Sequence, residues 1–323
     1  QLPSLQSLAI VGMSCIPVFT QDFYGYITVT KPFPSLKNLT IGWLPQWKSW
    51  YIPEGEVFNG LERLRISDCP KLIGELPQQL PSLQSLEISG CDNLVWDNGQ
   101  LSILNGENQQ NFSSLHQLKI SKLENLKELP LQLNQLSRLK KLNISELENL
   151  EELPLQLNQL SRLKKLTIHD CRSLCPSHMS RLPASLKSLE YMGCKLEVEG
   201  GGALEYLVLG GCDLKVKAEW LASFPMLKRL EIRYCRSVEN QSGITTTTTT
   251  SVMTSLQSLD VYGYDDLLMS FSEGGLAAPN LTTISIRDGN GAGLGRGTPP
   301  PSHVSHPLSF TPSPCPYPPS PPP

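Results

Sequence analysis

His169, Cys171, Cys175 and His178 form the stretch of this chain whose residue types and spacing best suit a metal ion. The pattern H-x-C-x3-C-x2-H offers four nitrogen or sulfur donors, the kind zinc takes. Cys171, however, fills a slot that recurs along the chain and is expected to turn inward, whereas His169 belongs to an outward face. No metal is therefore assigned. Cys69, Cys91, Cys171, Cys194, Cys212 and Cys235 share that recurring slot. Stacked at strand spacing, they could approach bridging distance. Leu123, Leu147 and Tyr264 take the same slot in other copies, which points to volume rather than bridging, with reduced thiols suited to a cytosol. Asn-x-Ser/Thr occurs at Asn38, Asn111, Asn143, Asn240 and Asn280, but Asn38 and Asn143 fall within expected strands, where a glycan would crowd the sheet. There is no HExxH or GxSxG, so no catalytic residue, no enzyme activity and no cofactor is assigned.

The elements that carry these slots come from repetition. Leu123 to Leu142 reads LENLKELPLQLNQLSRLKKL, and Leu147 to Leu166 repeats it 24 residues later with Glu151 in place of Lys127. A shorter frame, LxxLxIxxCxxL, begins at Leu5, Leu36, Leu61, Leu83, Leu115, Leu139, Leu163, Leu186, Leu204, Leu227, Leu256 and Leu281. Their mean spacing of about 25 residues lies in the leucine-rich-repeat range. Within LxxLxI the second Leu and the Ile alternate, as a strand with one buried face requires. The first Leu, the Cys and the last Leu turn inward at the corners. The expected fold is an α/β leucine-rich-repeat solenoid, a horseshoe with a parallel concave sheet of about twelve strands and irregular convex segments such as a helical turn over Pro130 to Leu136. Each layer buries its apolar residues only against its neighbours.

Residues 1–288 form the repeat domain. Gaps of 31, 32 and 29 residues after Leu5, Leu83 and Leu227 imply inserted loops, including 98–111 and 245–250, and the 18-residue step from Leu186 to Leu204 implies a weakened layer. Residues 289–323, with twelve prolines, read as a Pro/Gly-rich disordered tail. No run of about 18 apolar residues exists, and a net charge of −3 attracts the chain as a whole to neither membrane nor nucleic acid.

The outward strand positions carry Arg63, Arg65, Lys119, Lys141, Lys165, Arg229, Arg233 and Arg287 against Glu87, Glu190, Glu231 and Asp260. Eight basic residues minus four acids leave +4 on a face of an acidic chain. Lys119, Lys141 and Lys165 are expected at one outward position in three successive copies. Tyr206 and Tyr262 add aromatic anchors, and Arg and Tyr often carry interface energy. These residues (Arg63, Arg65, Lys119, Lys141, Lys165, Tyr206, Arg229, Arg233 and Tyr262) are the expected partner-binding set, for an acidic protein rather than nucleic acid.

FPSLKNLTIGWLPQWKSW from Phe33, LPSLQSLEISGCDNL from Leu80 and FPMLKRLEIRYCRSV from Phe224 resemble plant nucleotide-binding, leucine-rich-repeat disease-resistance proteins, notably the coiled-coil class. The resemblance spans roughly residues 1–288, and the Trp43/Trp47/Trp50 segment is a feature of that family's irregular repeats. It implies the repeat portion of a cytoplasmic immune receptor, detecting a pathogen effector or a modified host protein and restraining the receptor's own nucleotide-binding domain. The sequence departs from the complete pattern in having no GxxxxGK[ST] and no coiled-coil heptads. Two other readings are an F-box-type substrate-recruiting adaptor and an extracellular receptor ectodomain.

Overall fold

The computed structural model describes residues 2–24, 32–51, 57–74, 80–95, 112–129, 136–174, 182–193, 202–211, 223–234, 253–263 and 278–287, with positions 77, 133, 213, 214, 236 and 237 between them. Twelve five-residue strands form one parallel sheet in chain order. They are β1 (Ser7–Val11), β3 (Asn38–Gly42), β5 (Arg63–Ser67), β6 (Ser85–Ser89), β7 (Gln117–Ser121) and β8 (Lys141–Ser145). The sheet continues with β9 (Lys165–His169), β10 (Ser188–Met192), β11 (Tyr206–Gly210), β13 (Arg229–Arg233), β15 (Ser258–Tyr262) and β16 (Thr283–Arg287). Every strand starts two residues after one of the twelve frame leucines. Two accessory pairs, β2 (Val18–Phe19) with β4 (Ser49–Trp50) and β12 (Asp213–Leu214) with β14 (Arg236–Ser237), lie outside the main sheet.

Each strand is set between two tight turns. Before it, the frame leucine donates to a carbonyl three residues back, as in Leu36 N–H to Phe33 and Leu83 N–H to Leu80. Pro34 and Pro81 stand second in those turns, where their fixed φ fits and no donor is needed. After the strand, a turn opens at the cysteine slot, as in Leu72 N–H to Cys69 and Leu150 N–H to Leu147. Cys69, Cys91, Leu123, Leu147 and Cys171 are all fully buried there, and these three cysteines, like the exposed Cys15, are not in disulfides. The Cys69 thiol donates to Ser67 O at 3.2 Å and the Cys91 thiol to Ser89 O at 3.3 Å, and hydrogen bonding between the two thiols pulls Cys69 down while it and burial push Cys91 up.

Between strand and corner sits a position the repeat frame does not reveal. Trp43, Asp68, Lys122, Glu146, Asp170 and Tyr234 adopt φ of 51–54°, and Gly12, Gly90, Gly193, Gly211 and Gly263 fill the same place in other repeats. Each donates its N–H to the last residue of the next strand, as in Asp68 N–H to Ser89 O at 2.8 Å and Tyr234 N–H to Tyr262 O at 2.8 Å. The ladder thus gains one bond per repeat, enough to hold non-glycine residues in a left-handed conformation that costs roughly 1–2 kcal/mol. At Gly193 a Cβ would meet the Asp170 carboxylate, which would have to swing aside.

Two expectations change. The 31-residue gap after Leu5 is more than a loop: it holds β2 and a 3₁₀ turn, Gln21–Tyr24, whose rings join Phe33, Trp47, Trp50 and Phe58 in an aromatic cluster. Its polar groups are paired, with Trp50 Nε1 donating to Tyr24 Oη at 2.7 Å and Tyr24 donating to Tyr51 O at 2.8 Å. Of the three tryptophans, Trp43 stands outside this core, exposed on the left-handed rim. The layer after the 18-residue step is not weakened in its strands, since β10 and β11 pair over five residues and Leu189, Tyr191, Leu207 and Leu209 are fully buried. On the convex side, Leu155–Gln159 forms a 3₁₀ helix; the earlier copy over 130–136, the loops 98–111 and 245–250, and the tail lie largely or wholly outside the described residues.

Candidate protein-binding face

On the concave side, strand register sorts the outward residues into three columns. The first runs Arg63, Ser85, Gln117, Lys141, Lys165, Ser188, Tyr206, Arg229, Ser258. The second, between the inward Leu and Ile, runs Arg65, Glu87, Lys119, Asn143, Thr167, Glu190, Val208, Glu231, Asp260. The third carries serines from Ser67 to Ser145, then His169, Met192, Gly210, Arg233, Tyr262 and Arg287. This corrects the lysine strip. Lys141 and Lys165 are direct neighbours, but Lys119 opposes Asn143 in the next column.

The acids divide the basic residues into paired and unpaired. Glu87 sits between Arg65 at 3.7 Å and Lys119 at 2.8 Å. Glu190 meets Lys165 at 3.5 Å and His169 Nε2 at 3.3 Å. Arg233 grips Glu231 through Nε and Nη2, both at 2.7 Å, while Arg229 reaches Asp260 at 3.1 Å. Glu231 and Asp260 were expected to face outward; they do, yet both are buried, roofed by the arginines and by Tyr206, whose hydroxyl donates to Glu231 Oε2 at 3.1 Å. Burial and the adjacent Glu231 carboxylate push the Tyr206 phenol up. Among the described residues, Arg63, Lys141 and Arg287 have no acidic partner. Arg63 instead donates to Asn38 Oδ1 at 2.9 Å.

At the strand entrances, Glu205 is clamped by Lys187 at 2.6 Å and Lys228 at 2.8 Å. Hydrogen bonds from Lys187 and Lys228 lower its pKa from 4.5 to about 2. A depressed carboxylate contributes stability above its ordinary pKa, and that contribution fades as pH falls through the folded value. A carboxyl-carbon NMR titration is expected to place the Glu205 midpoint near 2 and, in Lys228→Ala, closer to the ordinary value; a wild-type midpoint near 4.5 counts against the clamp.

The fold's relatives agree with its repeats. Over 140 residues, 41% of this chain, the sequence is 34% identical to a disease resistance RPP13-like protein of Arabidopsis thaliana, and over 142 residues it is 31% identical to a second disease resistance protein of that plant. The chain is a leucine-rich-repeat protein similar to plant disease-resistance proteins. No family profile matches it. The leucine-rich-repeat chain spans only 13% and 9% of those relatives' lengths. Similar solved structures include the leucine-rich-repeat domain of the type III effector XopL (19% identity, TM-score 0.46, covering 71% of this chain and 76% of that one). A Listeria monocytogenes internalin covers 88% of this chain and 82% of its own, at 16% identity and TM-score 0.45. Among the described residues no helix is long and apolar enough to cross a membrane.

Of the expected binding residues, all nine lie on the concave sheet, but not as one basic strip. Arg229, Arg233, Tyr206 and Tyr262 cluster at the C-terminal end, Arg63 and Arg65 lie toward the N-terminal end, and the lysines occupy the middle. Arg287 belongs with the C-terminal group, its guanidinium 5.3 Å from the Tyr262 ring centre.

Proposed function

We propose that this leucine-rich-repeat chain is the protein-recognition segment of a cytoplasmic plant immune receptor. It senses a pathogen effector, or a host protein altered by one, and restrains the receptor's nucleotide-binding domain until then. The observation that carries this reading is the 34% identity to a plant disease-resistance protein, on a chain whose concave face is charged and aromatic. The unpaired lysine supports an acidic contact. Lys141 stands beside Lys165 in register with no acid of its own, and adjacent like charges repel.

Lys141→Glu separates recognition from stability. In the chain by itself the new carboxylate would face Lys165, so stability should hold or rise by about 0.2–1 kcal/mol. In a receptor carrying this segment, the same change should loosen restraint and produce signalling without a pathogen, read as cell death after expression in leaf tissue. Lys127→Glu on the exposed convex side is the control, since Glu151 already occupies that place one repeat later. Equal behaviour of the two variants would sink the reading.

A further inference from the structure

The C-terminal end of the concave sheet is organised differently from the rest. Its floor is the second column, where Glu231 and Asp260 sit buried side by side. Above them Arg229 leans over the Tyr206 ring at 5.5 Å, and Arg233 and Arg287 approach the Tyr262 ring at 5.8 and 5.3 Å. The two buried carboxylates hold Arg229 and Arg233 in place. Ser258 Oγ, 3.2 Å from Asp260 Oδ2, fixes the remaining acid. Long side chains elsewhere on the face must lose rotamer freedom on binding, at roughly 0.5–1.5 kcal/mol each; here much of that ordering is present beforehand.

Among the described residues, Arg287 adds a third guanidinium to the two that the buried carboxylates hold, and two of the cations converge on one ring. A ring flanked by two cations attracts both, yet the cations repel each other unless an anion lies near. Arg287, exposed and with no acidic partner among the described residues, is where that anion fits. Arginine's planar fork suits carboxylates in particular.

We infer that Tyr206, Arg229, Arg233, Tyr262 and Arg287 form a preformed seat for an acidic peptide segment of a protein partner, with Arg287 its leading contact. The seat rests on the reading of the concave face as a protein-binding surface and narrows it to one end and one chemistry. The aromatic rings receive the peptide's apolar stems while the guanidinium groups take its carboxylates.

The test uses the whole 323-residue chain and a fluorescein-labelled short peptide of alternating Asp and Glu. A matching Asn/Gln peptide and an oligo-dT strand are the comparison probes, followed by anisotropy at low and high salt. The acidic peptide should bind in preference to both, and salt should weaken it. Arg287→Gln should weaken it about tenfold, the loss of one charged contact worth roughly 1.4 kcal/mol. Tyr262→Ala should also weaken it, and Lys127→Gln, an exposed residue outside the strands of the concave face, should leave it within about twofold. Arg287 is exposed, so its variant keeps the fold, which circular dichroism checks. The seat is overturned by unchanged affinity in Arg287→Gln, by oligo-dT binding as tightly as the peptide, or by no acidic-peptide binding at all. Loss through Lys141→Gln with Arg287→Gln unaffected would overturn the seat while leaving the concave face as a binding surface. The leaf assay of Lys141→Glu judges the receptor reading independently.

Discussion

Leu142→Ala should cost about 2–5 kcal/mol, the range for truncating a fully buried leucine into a cavity, and should change how the chain unfolds as well as when. Leu142 lies under the middle of the sheet, 1% exposed, between Leu118 of β7 and Leu166 of β9. In a solenoid each layer touches only its neighbours, so stability is a sum of layer and interface contributions. Weakening both interfaces of one central layer should divide a single transition into two. Urea unfolding followed by hydrogen exchange is the measurement: amides of β8 should lose protection first, with the flanks melting separately. A single cooperative transition shifted by less than about 1 kcal/mol would show that the layers are not independent in this way.

Arg233→Ala is expected to be nearly as damaging despite sitting on the surface face. The Glu231 side chain is 3% exposed, and Arg233 supplies its two shortest contacts. Among the described residues, removing the cation leaves the buried carboxylate with Tyr206 and a more distant Arg229 at 3.8 Å. Breaking a buried pair from one side costs on the order of 3 kcal/mol, here toward the low end because Arg233 is itself one-third exposed. Adding Glu231→Leu should recover most of the loss, since replacing both members of a buried pair by apolar groups is often neutral. Thermal melts of the single and double variants decide it; a double variant no more stable than Arg233→Ala would mean that the arginine acts through something other than Glu231.

The strands, their order and the inward leucines were readable in the sequence because their signals are local. A period of two over LxI and a leucine three residues earlier suffice, and all twelve frames became strands. The left-handed position was half visible: Gly90 and Gly193 advertise it, but Lys122, Glu146 and Tyr234 do not, because a hydrogen bond to the next repeat overrides their preference. Burial of Glu231 and Asp260 was not readable at all. An acid at an outward position becomes buried only when other side chains close over it: Arg233 of its own strand and Tyr206, 25 residues earlier, over Glu231, and Arg229 of the preceding strand over Asp260. Lys119 was misplaced because the frame offers three outward slots, and identity of residue type was mistaken for identity of column.

The twin blocks Leu123–Leu142 and Leu147–Leu166 make the horseshoe a ruler with a removable centimetre. Their buried leucines match place for place, from Leu126 and Leu150 to Leu136 and Leu160, so either block can sit on the neighbours of the other. Unequal crossing-over between such near-identical stretches would delete or add one 24-residue coil without disturbing the layers on either side. What would change is the span between the Arg63/Arg65 end and the Tyr262/Arg287 end, in steps of roughly 4.8 Å. A lineage carrying this gene could therefore retune the length of partner it grips by copy number, with no new side chain invented.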